Sequence, residues 1–286
     1  MRAGIVLMML TTCLLAGTRA VVLAPVLNLH SKPSVDTDVV SQAIYGASVA
    51  IVEEQTGWVK IKTPGDDYVG WVESAWLRKL QDGETYAASG KVAMIESLAA
   101  HLYREPSVTK HQPLLTLPFE TRLEVLEEKP EENGRWLAVR LPDDRKGWVQ
   151  RGDLVFNPIV REVPELVELS RRFLGLPYTW GGTSSFGYDC SGFTQMLVRR
   201  GGVLMPRDAQ PQADWGALEK VNASALRAGD LLYFGASPKK ITHTGFYMGN
   251  GEFIHATTSD KPVLQISKLA EAKWTKLLVA CRRWKQ

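Results

Sequence analysis

Three side chains in the C-terminal half of the sequence carry the means for nucleophilic chemistry: Cys190, His243 and His255. Cys190 lies in Gly187-Tyr188-Asp189-Cys190-Ser191-Gly192-Phe193, where a polar loop turns into an apolar helical pattern marked by Phe193, Met196 and Leu197. A cysteine in the first turn of a helix faces unpaired backbone N–H groups and the positive end of the helix dipole, and both favour the thiolate. Asp189 or Ser191 can cap that helix. A thiolate nucleophile needs a base, most often histidine, and the base needs an orienting partner. Of five histidines, His30, His101 and His111 fall in the N-terminal half, which leaves His243 and His255. A free cysteine taken alone is more commonly a small buried hydrophobe. The company of two histidines is what favours chemistry at Cys190.

Both histidines fall on an expected hairpin, with strands 242–248 and 252–257 around Gly249-Asn250-Gly251. Strand residues alternate faces, and directly paired residues share one. A two-residue turn at Asn250-Gly251 would pair Phe246 with His255 and put the histidines on opposite faces. A three-residue loop pairs Gly245 with His255 and His243 with Thr257, so the histidines become diagonal neighbours roughly 7–8 Å apart at Cα. The odd loop also gathers Phe246, Met248, Ile254 and Ala256 on the other face as a core side, and it is the expected register. Gly245 would then leave room beside His243 for a sulfur and a substrate.

Around this hairpin the C-terminal stretch reads as helices followed by an antiparallel sheet, an α+β pattern. Val163, Leu166, Val167, Leu169, Phe173 and Leu174 fall at helical spacing until Gly175 and Pro177 end the helix. The stretch 206–216 is polar and expected to be irregular, 229–234 is a strand, and a last strand covers 277–282. The preceding half is an internal repeat. Leu29-His30 is echoed by Leu102-Tyr103, Trp58-Val59 by Trp136-Leu137, and Gly70-Trp71-Val72 by Gly147-Trp148-Val149, at an offset of 73 to 78 residues. Each copy, about residues 21–80 and 91–157, reads as five or so short strands forming a small barrel, with a linker near 82–90. The repeated Trp are expected to fill small cores.

The first twenty residues differ in kind. Arg2, an apolar run over 3–17 and the small residues flanking Arg19 read as a secretory signal peptide, and the run is shorter than the roughly twenty residues a membrane span needs. Its loss would remove Arg2 and Arg19, so the formal net charge of +3 falls by two and no basic surface remains to argue for nucleic acid. Of three cysteines only Cys190 and Cys281 lie beyond the leader, too few for a disulfide scaffold. His243 and His255 are twelve apart, with no further ligand at metal spacing, so no metal site is expected.

Taken together, Pro177-Tyr178-Thr179-Trp180-Gly181-Gly182, Asp189-Cys190-Ser191-Gly192-Phe193, Pro206-Arg207-Asp208 with Gln212, Gly229-Asp230-Leu231, His243-Thr244-Gly245-Phe246-Tyr247-Met248 and Ile254-His255-Ala256 resemble the NlpC/P60 cysteine peptidases over about residues 160–286. The repeats resemble tandem bacterial SH3-like domains. The resemblance implies a papain-like catalytic core behind two small all-β barrels, and cleavage of peptidoglycan stem peptides or muropeptides between D-glutamate and the following diamino acid. It makes Cys190 the nucleophile, His243 the base and His255 its orienting partner, without a cofactor. It also places Tyr178 in the cleft, assigns Asp189 and Ser191 to the free amine of an N-terminal L-alanine, and brings Arg207 to a substrate carboxylate or into a structural ion pair. A secreted or periplasmic location follows, with no membrane span once the leader is gone. Ala209 stands where many members have Ser, and Thr244 replaces the usual Val at a core-facing position. Two other readings are an amidase of the CHAP type, cutting between sugar and L-alanine, and a wall-binding protein that has lost catalysis.

Overall fold

The computed structural model describes residues 18–127 and 134–285. The leader expected over 1–20 therefore lies almost wholly outside the described residues. Its last three positions do not: Thr18 precedes the first strand, Arg19–Val22, which includes Arg19 and Ala20, and Ala20 is fully buried.

Short β-rich runs broken by Gly and Pro build two all-β units. The first has seven antiparallel strands, Arg19–Val22, Val26–His30, Val39–Ile44, Ser48–Gln55, Trp58–Lys62, Val69–Glu73 and Leu77–Lys79. The second repeats them element for element, from Val92–Ile95 through Leu154–Phe156, including a single 3-10 turn before the last strand (Ser74–Trp76 and Arg151–Asp153). Pairings repeat as well. His30 bridges Trp71 in the first unit as Tyr103 bridges Trp148 in the second. Each unit therefore has seven strands rather than about five.

Of the repeated Trp, Trp71 is buried as expected, but Trp58 and Trp136 do not fill the cores. Leu27, Leu29, Val59, Ile61 and Val72 form the first core, and Leu102, Leu117, Leu123, Leu137 and Val139 belong to the second. Trp58 and Trp136 lie on the opposite faces, met edge-on by His30 and Tyr103 at 5.6 and 5.3 Å. Strand alternation explains this: Trp58 and Trp136 immediately precede the inward Val59 and Leu137.

The C-terminal unit stacks helices on an antiparallel sheet. Helix α1 (Val163–Arg171) and helix α2 (Cys190–Arg200) precede a short α3 (Ala209–Asp214), which replaces the irregular segment expected there. The sheet runs β1 (Leu231–Ser237), β2 (Lys240–Gly249), β3 (Glu252–Thr257) and β4 (Val263–Lys268), with β5 (Leu278–Arg283) beside β1 and Glu219–Lys220 at the edge. Strand β4 and the one-and-a-half-turn α4 (Ala272–Leu277) are additions to the sequence reading. Phe193, Met196 and Leu197 of α2 pack against Phe246, Ile254 and Ala256 of the sheet, which joins the helix that carries Cys190 to the hairpin.

The units are docked. Phe119 of the second all-β unit enters the C-terminal core against Phe173, and its backbone N–H donates to Ser185. From the first unit, Gln42 accepts from the Thr183 N–H, and Asp66 accepts from Gln195 on α2.

Candidate functional site

Cys190 opens α2, and Asp189 is the residue that caps it: its Oδ1 accepts from the Gly192 N–H at 2.7 Å. The thiol is largely buried, and the backbone of Thr244 on β2, the residue after His243, lies near enough to favour its ionised form. Burial first, and the Asp189 charge second, push the thiol up to about 12. Burial therefore works against the helix N-terminus, which favours the thiolate.

The two histidines meet. His243 Nε2 lies 2.7 Å from His255 Nδ1, and His255 Nε2 lies 3.0 Å from Ser267 Oγ on β4. The hairpin reaches this by a different route from the expected three-residue loop. Gly249 pairs with Glu252 across a two-residue turn in which Asn250 and Gly251 both have positive φ (54° and 79°), and a bulge at Met248 then shifts the register. Beyond the bulge Tyr247 pairs with Phe253 and Phe246 with Ile254, the register the odd loop was meant to supply. Room beside His243 is another correction. A side chain at Gly245 would come within 2.6 Å of the Phe253 ring, so the missing Cβ admits an aromatic wall rather than substrate.

That wall is continuous. Trp274 from α4 stacks on His243 (centroids 5.4 Å, 27°) and meets His255 edge-on at 4.9 Å, with Phe234 and Phe253 completing the cage. Although His243 is only half-buried, this packing pushes its pKa well below 6.5, with Lys273 adding to the effect. His255 is fully buried and is pushed down to about 2, by burial first and then by the charges of His243 and Lys273. A histidine held neutral in the fold but free to protonate when unfolded contributes stability above pH 6.5 that is lost as pH falls toward the folded value. Between pH 6.5 and 4 the wild type is therefore expected to lose roughly 1 kcal/mol per pH unit through His255, and His255→Gln to lose less. Calorimetric melting across that range checks this, and equal slopes for the two proteins would refute it.

Arg207 is 2% exposed and spans the floor of the site. Its Nη2 donates to Asp189 Oδ2 at 2.6 Å, its Nη1 to Asp189 Oδ1 and Ser191 Oγ at 3.0 and 2.8 Å, and its Nε to Ser41 of the first all-β unit. Of the two expectations for Arg207, the geometry is that of the structural ion pair. Tyr178 is half-buried, and burial, followed by the charges of Cys190 and Asp189, raises its phenol. Thr244 faces inward as expected, with its hydroxyl unpartnered among the described residues.

Three contributors escaped the sequence reading. Tyr68 reaches over from the first unit, its hydroxyl bonded to Asp208, and its pKa is raised to about 12 by burial and then by the Asp208 charge. Ser267 and Trp274 lie on the two elements that were not expected. Ser267 was legible in principle, because Val263, Gln265 and Ser267 alternate with the core-facing Leu264 and Ile266.

The fold and site define a class: an α+β unit with a cysteine opening a helix packed on the sheet that carries a histidine pair, preceded by small all-β units. A profile of the NlpC/P60 family matches residues 175–283, and one of the bacterial SH3 domain matches residues 25–78. The chain is 32% identical over 237 residues to a gamma-D-glutamyl-L-lysine dipeptidyl-peptidase of Bacillus cereus, covering 78% of this chain and 68% of that protein. It is 32% identical over 260 residues to the protein of the same name from Bacillus subtilis, covering 87% and 82%. A crystal structure of an NlpC/P60 family protein from Bacillus cereus matches with a TM-score of 0.80 at 25% identity, over 93% of this chain and 99% of that one. The chain belongs to the NlpC/P60 family, and its first all-β unit is a bacterial SH3 domain. No helix among the described residues is long and apolar enough to cross a membrane.

Proposed function

We propose that this protein is a secreted or periplasmic cysteine peptidase that hydrolyses the bond between γ-D-glutamate and the diamino acid of peptidoglycan stem peptides, and that it prefers stems with a free N-terminal L-alanine. The observation that carries the reading is the chain of contacts from Cys190 through β2 to the His243–His255 pair. Similarity to the two dipeptidyl-peptidases along most of the chain, SH3 domain included, supports the bond specificity. The second all-β unit, repeating the first strand by strand, reads as a second SH3-like domain, and the C-terminal unit as a papain-like core.

In this reading His243 Nε2 is engaged by His255, which leaves Nδ1 for the thiol. As Cys190 Sγ attacks the γ-carbonyl carbon, Nδ1 takes the thiol proton and the carbonyl π pair moves to oxygen. The Cys190 N–H, at the first turn of α2, is placed to stabilise that oxyanion. Collapse expels the diamino acid nitrogen with the proton returned by His243, leaving a thioester. Water, deprotonated by the same imidazole, then releases the γ-carboxylate and restores the thiol. Tyr178 lines the cleft beside the sulfur. The amine of L-alanine is read at the end where Asp189, Ser191 and Asp208 gather. Arg207 offsets one of the two carboxylates there, and Tyr68 closes the wall from the SH3 domain.

The test is a digest of L-Ala-γ-D-Glu-L-Lys, its N-acetylated form and polymeric peptidoglycan, analysed by mass spectrometry beside Cys190→Ala. Release of L-Ala-D-Glu and free lysine from the first substrate is expected, with the acetylated form at least about 10²-fold slower. An intact γ-bond with wild type and Cys190→Ala indistinguishable would overturn the reading. Free glycan and stems still beginning Ala-Glu would mark an amidase instead.

A further inference from the structure

We propose that Ser267 is a positioning residue for the histidine pair: its hydroxyl accepts the Nε2–H of His255 and thereby keeps His255 Nδ1 free to accept from His243. This rests on the reading of His243 as base, and it extends the site by one residue that neither composition nor motif marks.

The argument follows protons along one line of contacts. Only one proton can occupy the 2.7 Å gap between His243 Nε2 and His255 Nδ1. If His255 supplies it, neutral His243 must carry its own proton on Nδ1, the nitrogen that this reading assigns to the thiol, and cannot take another there. If His243 supplies it, Nδ1 is bare and the site can work. Once His243 has accepted the thiol proton, both its nitrogens are donors and the choice disappears: His255 Nδ1 must accept. The His255 proton then has to sit on Nε2, and the acceptor within reach is Ser267 Oγ at 3.0 Å. His255 is 0% exposed, so bulk water cannot substitute for the hydroxyl. Removing Ser267 Oγ would strand a buried N–H in the arrangement that turns over, whereas the reversed arrangement would leave only a bare nitrogen lone pair. An orphaned donor is the costlier of the two.

Backbone geometry keeps the hydroxyl in place. Ser267 pairs with Phe253 on β3 and Gln265 with His255, so Ser267 is the diagonal neighbour of His255 on the same face. The contact therefore arises from strand register, and a threonine, well suited to a strand, can reproduce it.

The experiment joins kinetics with a reading of tautomers. In resting wild-type enzyme with ¹⁵N-labelled histidine, long-range ¹H–¹⁵N correlations are expected to show His255 and His243 both protonated on Nε2. Ser267→Ala should move a measurable share of His255 to the Nδ1–H form and lower kcat about 10- to 100-fold with KM little changed, the range seen when an orienting partner of a functional histidine is removed. Ser267→Thr should restore both readouts to near wild type. The proposal is overturned if wild-type His255 carries its proton on Nδ1, a result that needs no variant to fold. It is equally overturned if Ser267→Ala leaves tautomers and kcat unchanged, or if Ser267→Thr behaves as Ser267→Ala does. Should wild type leave the tripeptide uncut while His255 shows the expected tautomer, the functional reading fails and the positioning role stands.

Discussion

His243→Ala is expected to lower kcat on the free tripeptide by about 10³-fold or more, and Cys190→Ala to abolish thioester formation, with the double variant no slower than Cys190→Ala alone. Burial and the Asp189 charge push the thiol up, so under the proposed mechanism the sulfur depends on a base at the moment of attack. A positioned general base contributes about 10²–10⁴-fold, and residues that act as one unit give non-additive losses. His243 also packs beneath Trp274, so its removal opens space in the aromatic cage. His243→Gln fills most of that space without providing a base. Stopped-flow mixing under single-turnover conditions, with melting temperatures measured alongside, separates the two effects. If His243→Gln keeps wild-type kcat, His243 is not the base.

The same cage shows why parts of the site could be read from sequence and others could not. Cys190, His243 and His255 could be singled out as candidates because cysteine and histidine are scarce residue types, and period-two alternation decides which side chains share a face. The parity argument reached the correct register even though it assumed the wrong loop. It counted residues between strands, and a bulge at Met248 adds the same one-residue shift as a longer loop. Electrostatics were not legible in that way. The helix dipole is a local property of α2, but the burial that works against it comes from elements distant in sequence. Tyr68 and Ser41 lie more than a hundred residues before Cys190, in a domain whose placement against α2 depends on surface fit rather than on any periodicity. The two all-β units were recognisable from their repeat, whereas the outward Trp58 and Trp136 required the alternation to be followed one residue further. Strand β4 begins just after the polar stretch Ser259-Asp260-Lys261-Pro262, and its short alternating pattern escaped notice along with Ser267.

Arg207→Met is expected to destabilise the protein by about 3–5 kcal/mol, the usual result of removing one partner of a buried ion pair. The side chain is almost wholly enclosed, and its two terminal nitrogens grip both oxygens of Asp189. Without it, Asp189 would keep its charge in a site 8% exposed, with only the Gly192 N–H and the Ser191 hydroxyl to satisfy it. Adding Asp189→Asn should therefore recover part of the loss, because the neutral amide removes the stranded charge and its oxygen can still cap α2. Urea unfolding of wild type, both single variants and the double variant measures the coupling, and strictly additive losses would mean that the pair is not a unit. Activity should fall further than stability accounts for, and by a separate route. Asp189 immediately precedes Cys190, so a shift in the cap moves the first turn of α2 and, with it, the sulfur relative to His243. Arg207 also donates to Ser41, so the same substitution loosens the SH3 domain from the floor of the cleft. A double variant that regains stability but keeps a raised KM for the free-amine tripeptide would assign Arg207 to both tasks: holding the nucleophile's helix, and holding the domain that closes the end of the cleft where the substrate begins.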